Sequence, residues 1–79
     1  MKSEKAVALR IVNLLLKNNL TRYALCKKST LDESTLACII NEKYKTVKLD
    51  TIILICDGFG MTLSEFFDDD LFKRENLDV

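Results

Sequence analysis

LTRYALCKKSTLDESTLACIIN, residues 20–41, is the stretch from which the fold of this chain can be read. It carries the same helix-start signal twice: Thr21 stands between Leu20 and Leu25, and Asp32 between Leu31 and Leu36. A short polar side chain at such a position accepts a hydrogen bond from the free amides of a first helical turn, while the flanking apolar pair packs across the entry. The spacing predicts helices over 22–28 and 33–41, joined by Ser29, Thr30 and Leu31. A link so short does not return the second helix antiparallel to the first and suits a sharp crossing, which is a helix-turn-helix. At about 100° per residue, Leu36, Ile39 and Ile40 gather on one side of the second of these helices, and Ser34, Ala37, Cys38 and Asn41 on the other. The outer face is small and largely polar. Such a face fits a duplex major groove about 12 Å wide, with the amino end of the helix nearest the base edges. Any solvent-facing helix can carry the same residues, so the face alone assigns no function.

Outward from this core, the start signal recurs at Thr62, between Met61 and Phe66, where Glu65 completes a T-x-x-E capping box. Near Lys48 the Val47 and Ile52 pair is present but the cap is poor, which leaves Thr46 or water to serve the amides. Helices are expected over 2–18, 49–59 and 63–67 as well, with a further turn near 71–74. In the first helix Val7, Ile11, Leu14 and Leu15 share one face. Together with Leu20, Leu25, Leu36, Ile39, Ile40, Ile52, Ile55, Phe59, Phe66 and Phe67 they are expected to form a single core without an evident cleft. Nothing alternates with the period of a strand. The expected fold is all-α, five helices packed compactly, as one domain over 1–79. The helix-turn-helix core lies at about 20–41 and an acidic tail over 68–79. Leu16, Leu71 and Phe72 have no place in this core, and either cover one another or form a contact between chains.

The 79 residues make one small domain, and 48% hydrophobic with 30% charged residues, two Gly and no Pro exclude a disordered or collagen-like chain. Three Cys, no His and no Trp remove the commonest catalytic and zinc-binding constellations, so no enzyme, metal or cofactor is expected. Cys26, Cys38 and Cys56 form no C-x-x-C pair and are odd in number, which fits neither a zinc ribbon nor a closed disulfide framework. The net charge of zero conceals a division. Residues 1–48 hold ten Lys or Arg against four Asp or Glu, and residues 49–79 hold two against eight, so the halves carry +6 and −6. A basic half of this size can meet a polyanion while the acidic half limits indiscriminate binding. Asn13 interrupts the apolar residues 11–16 that follow Lys2, Lys5 and Arg10, and no run approaches the roughly 18 apolar residues of a membrane span. A cytoplasmic protein with no membrane partner is expected.

The order Leu20-Thr21, Ser34-Thr35, and then LDTIILICDGFGMTLSEFF over 49–67 with its apolar spacing and Gly60, resembles the Cro and C1 repressor family of helix-turn-helix proteins, also called the XRE family. The resemblance covers residues 9–67. It implies a five-helix, lambda-repressor-like domain that binds double-stranded DNA with its third helix in the major groove, as a homodimer on a two-part operator. Carried over by position, the base-reading sites of the family fall on Glu33, Ser34 and Cys38. Its phosphate-holding sites fall on Thr21, Arg22, Asn41 and the loop of Lys43, Tyr44, Lys45 and Thr46. Arg22 replaces a glutamine common in relatives and remains a good phosphate partner at a helix start. Cys38 is a weak donor, and no Arg, Gln or Asn projects from the first two turns of the third helix, which implies modest base selectivity. Thr30 and Glu42 stand where relatives often have glycine, and Asn41 is expected to take the left-handed conformation instead. Leu15 and Ile40 replace an Arg and a Glu common in relatives. For a dimer, Leu16 with Leu71 and Phe72 is the candidate surface.

The leading reading is a sequence-specific DNA-binding transcriptional regulator acting by occupancy, as a repressor. The alternative is a protein-interaction module, such as an antitoxin that binds a protein partner through the acidic tail with Leu71, Phe72 and Leu77. A redox or metal sensor built on Cys38 lacks a His or a nearby second thiol to hold a metal.

Overall fold

The computed structural model describes residues 1–79. Five α-helices follow in order, α1 (Ser3–Lys17), α2 (Arg22–Ser29), α3 (Glu33–Ile40), α4 (Leu49–Phe59) and α5 (Leu63–Phe67), and 3-10 turns at Asp70–Phe72 and Arg74–Asn76 complete the chain. The helices begin where the capping chemistry predicts. Thr21 Oγ1 accepts from the Ala24 N–H at 3.1 Å and Asp32 Oδ1 from the Thr35 N–H at 2.9 Å. At α5 the Thr62 hydroxyl and the Glu65 carboxylate satisfy one another's backbone amides. α4 starts without a side-chain cap, Lys48 standing at the position and Thr46 taking no part.

Helix ends depart from expectation. Asn41 has φ −86° and does not adopt the left-handed conformation. Glu42 adopts it instead, at φ 59°, and Thr30 does so at φ 58°, as does Asn19 at φ 53°. The chain must reverse direction at these points whatever residue stands there, and the packing of the flanking helices outweighs the local cost. After α4, Gly60 takes φ 69° without that cost.

α2 packs chiefly on α4, and α1 on α3. The α2–α4 approach depends on Gly58. A Cβ at this position would lie 2.8 Å from Leu25 Cδ1 and 2.9 Å from Ser29 Cβ. Around that crossing the core gathers Val7, Ile11, Leu14 and Leu15 from α1, Leu25 and Cys26 from α2, Leu36 and Ile39 from α3, Ile52, Ile55 and Cys56 from α4, and Phe66. Each large apolar side chain buried in this way contributes about 1.5–3 kcal/mol. Leu20, Ile40 and Phe59 pack against the cluster while partly exposed. Phe67 is a correction, since it is 37% exposed and lies outside the core. Adjacent residues on a helix point about 100° apart, so a five-residue helix can aim only one of its two phenylalanines inward. Phe67 instead stacks edge-on against Phe66 at 5.1 Å and Phe72 at 4.8 Å.

The segment after α5 is drawn onto α1 by Arg10. Its guanidinium donates to the carbonyls of Phe66 at 2.7 Å and Glu65 at 2.9 Å and to the Asp69 carboxylate at 3.2 Å. These are the carbonyls that a helix end leaves without intrahelical partners. The tail is further held by Asn76 Nδ2 donating to the Asp70 carbonyl and by Asp78 N–H donating to the Met1 carbonyl. Leu71 and Phe72 are half-buried, whereas Leu16 remains 76% exposed, so the three do not cover one another.

Candidate nucleic-acid interface

Capping positions the first part of the site. With Thr21 engaged by Ala24 N–H, the other first-turn amides of α2, which a helix start leaves without intrahelical partners, lie beside the exposed Arg22. A helix start of this kind carries partial positive charge and suits an anionic oxygen. One turn along α2, the Lys27 ammonium lies 4.9 Å from the centre of the Tyr23 ring, which is itself 55% exposed.

α3 presents the face expected of it. Leu36 and Ile39 are buried, Glu33, Ser34 and Asn41 are exposed, and Ala37 and Cys38 are intermediate. Asp32 anchors its amino end, and the hydrogen bonds from Thr35, with a smaller one from Ser34, hold the Asp32 carboxyl below its ordinary pKa. Its negative charge and that of Glu33 reach the interior side of α2, where burial first, and these two carboxylates second, push the Cys26 thiol up. Burial likewise raises the Cys56 thiol, with Asp57 adding to the effect.

Beyond α3 the left-handed Glu42 lets the Lys43 N–H close on the Cys38 carbonyl at 2.9 Å. The exposed Lys43, Lys45 and Thr46 follow directly. Neither these lysines nor Arg22 takes part in an ion pair; the salt bridges are Met1–Asp78, Arg10–Asp69 and Lys73–Asp70. Tyr44 behaves differently from its neighbours. It faces a cleft of about 350 Å³ that it shares with Thr35, Ile39, Thr46, Val47, Lys48 and Thr51. The nearby Cys38 thiol, more than burial or the Asp32 charge, raises the phenol above its ordinary pKa.

The candidates named from sequence therefore lie at the amino end of α2, on the outer face of α3 and in the loop after it. The sequence reading missed the cleft and Tyr23. An exposed aromatic four positions before a lysine on a helix was the available signal for Tyr23, but no local pattern announces the cleft, whose walls come from α3, the loop and α4. No group of three His, Cys, Asp or Glu is placed to hold a metal, and no helix is long and apolar enough to cross a membrane.

Comparison with known proteins adds to this geometry. The model of the Cro/C1-type HTH DNA-binding domain matches residues 10–70. Among solved structures, the wild-type restriction-modification controller protein C.Esp1396I is similar, with 23% identity and a TM-score of 0.75 over 82% of this chain and 83% of that one. A tyrosine-to-phenylalanine mutant of the same controller protein gives 24% identity and a TM-score of 0.76 over 86% and 87% of the two chains. At these identities the likeness is one of fold. No match is found among curated proteins.

Proposed function

The chain belongs to the Cro/C1-type helix-turn-helix DNA-binding family, and from that premise we propose that it is a sequence-specific transcriptional regulator that represses by occupying a two-part operator as a homodimer. The observation that carries this reading is the outer face of α3, small and solvent-facing, with unpaired cations preceding it at Arg22 and following it at Lys43 and Lys45. In this reading Glu33, Ser34 and Cys38 face base edges, while Thr21, Arg22, Asn41, Lys43, Lys45 and Thr46 hold the phosphates on either side. The likeness to a restriction-modification controller protein is compatible with a regulatory role.

The test is a titration of duplex DNA at several salt concentrations. Each phosphate neutralised contributes a slope of about −0.9 in log affinity against log salt. Replacing Arg22, Lys43 or Lys45 singly by Ala is expected to make the slope shallower by about one without changing the preferred sequence. Binding that ignores salt would remove the electrostatic basis of the proposal. In a dimer the two α3 helices are expected about 34 Å apart, one duplex turn.

A further inference from the structure

The outer face of α3 is poorly equipped to tell bases apart. Glu33 only accepts hydrogen bonds, Ala37 makes none, and the Cys38 thiol is a weak donor, which leaves Ser34 in the first turn and Asn41 at the far end as its strong donors. The chain that follows brings another. Because Glu42 is left-handed and Lys43 N–H closes on the Cys38 carbonyl, the backbone turns back along α3 rather than running on from it. Tyr44 is the next residue. Its side chain shares a cleft with Thr35 and Ile39 of α3, next to the Cys38 carbonyl on which the turn closes. Lys43 and Lys45, on either side, are exposed and unpaired as phosphate-gripping residues should be, whereas Tyr44, itself 44% exposed, rests one side of its ring on the cleft beside α3 and leaves the other accessible.

We infer that Tyr44 is a base-specificity residue, folded by the Glu42 turn back beside α3, where its accessible hydroxyl adds a strong hydrogen-bonding group to a reading face that has few. The inference rests on the assignment of α3 as the groove-reading helix. It also changes the role of Tyr44 from the phosphate contact implied by the family resemblance to one in sequence discrimination.

Selection of the full chain against a random duplex pool tests it, with Tyr44→Phe and Ser34→Ala carried through in parallel. Tyr44→Phe keeps the ring in its cleft and removes one oxygen. It is expected to relax preference at one or two adjacent base pairs and to weaken binding to the wild-type site about tenfold. Affinity for an unrelated duplex and the salt slope are expected to stay unchanged. Equal weakening on both duplexes would place the hydroxyl on a phosphate and overturn the inference, as would a selection identical to wild type. Ser34→Ala separates this failure from a wider one. If Ser34→Ala shifts the preference and Tyr44→Phe does not, α3 reads bases and Tyr44 has no share in it. If the wild-type chain itself selects no sequence, the proposed function fails and the inference with it.

Discussion

Thr30 and Glu42 sit at φ 58° and 59°, where a side chain crowds its own backbone, and for a β-branched residue such as Thr30 the crowding is worst. The Thr30 hydroxyl donates to the Ser29 carbonyl at 2.6 Å but does not remove the strain. Thr30→Gly is therefore expected to stabilise the fold by about 1 kcal/mol, visible as a higher urea midpoint; a lower midpoint would show that the Thr30 contacts outweigh the backbone term. Asp32 and Glu65 present a different residue-scale effect. Hydrogen bonds from Thr35 to Asp32, and from Thr62 to Glu65, hold both carboxyls below their ordinary values. A group with a lowered folded pKa stabilises the native state above its unfolded pKa and loses that contribution as pH falls through the folded value. Stability should thus decline below about pH 4. Asp32→Asn, which keeps a capping oxygen, is expected to flatten this acid limb; thermal melts of unchanged pH dependence would count against the cap as its source. The cap residues were legible in the sequence because each acts within three positions of itself. The left-handed residues were not, since local propensity favours Asn41 over Glu42 and the chain reversal overrides it.

Between elements, the close approach of α2 to α4 depends on Gly58 and Ser29 meeting side by side. A glycine inside a helix costs about 1 kcal/mol against alanine, yet here a methyl group would press on Ser29 Cβ at 2.9 Å and on the Leu25 carbonyl at 3.3 Å. Overpacking of this kind typically costs about 1–3 kcal/mol. Gly58→Ala should consequently destabilise the domain despite its better helix propensity, and a raised melting temperature would mean that the two helices can separate at little cost. The same pair sets the platform from which α3 projects, because Ser29 also accepts the Leu31 N–H at 3.3 Å in the turn before α3. The sequence showed the turn as short. It did not show which small residues let the helices come so near, because the contact joins positions 29 residues apart and has no periodic signature.

At the scale of the molecule, the division of charge into +6 and −6 halves is tempered by Arg10, a basic-half residue that ties the acidic segment to α1 through Asp69 and the end of α5. The cations flanking α3 at Arg22, Lys43 and Lys45 are left free of ion pairs. If copies of the chain pair through Leu16, which is 76% exposed, Leu16→Glu is expected to shift sedimentation toward the monomer with no loss of melting temperature. Wild-type chain that stays monomeric at high concentration, with and without duplex, would remove the dimer from the proposal. The sequence by itself determined the all-α class, the helix starts, the small outer face of α3 and the segregation of charge, because each is written in spacings of a few residues. Tertiary structure alone decided that Phe66 rather than Phe67 enters the core, that Arg10 closes α5 from 56 positions away, and that Tyr44 shares a cleft with Thr35 of α3 and Thr51 of α4. These outcomes depend on which distant surfaces compete for the same space, a competition that local periodicity does not record.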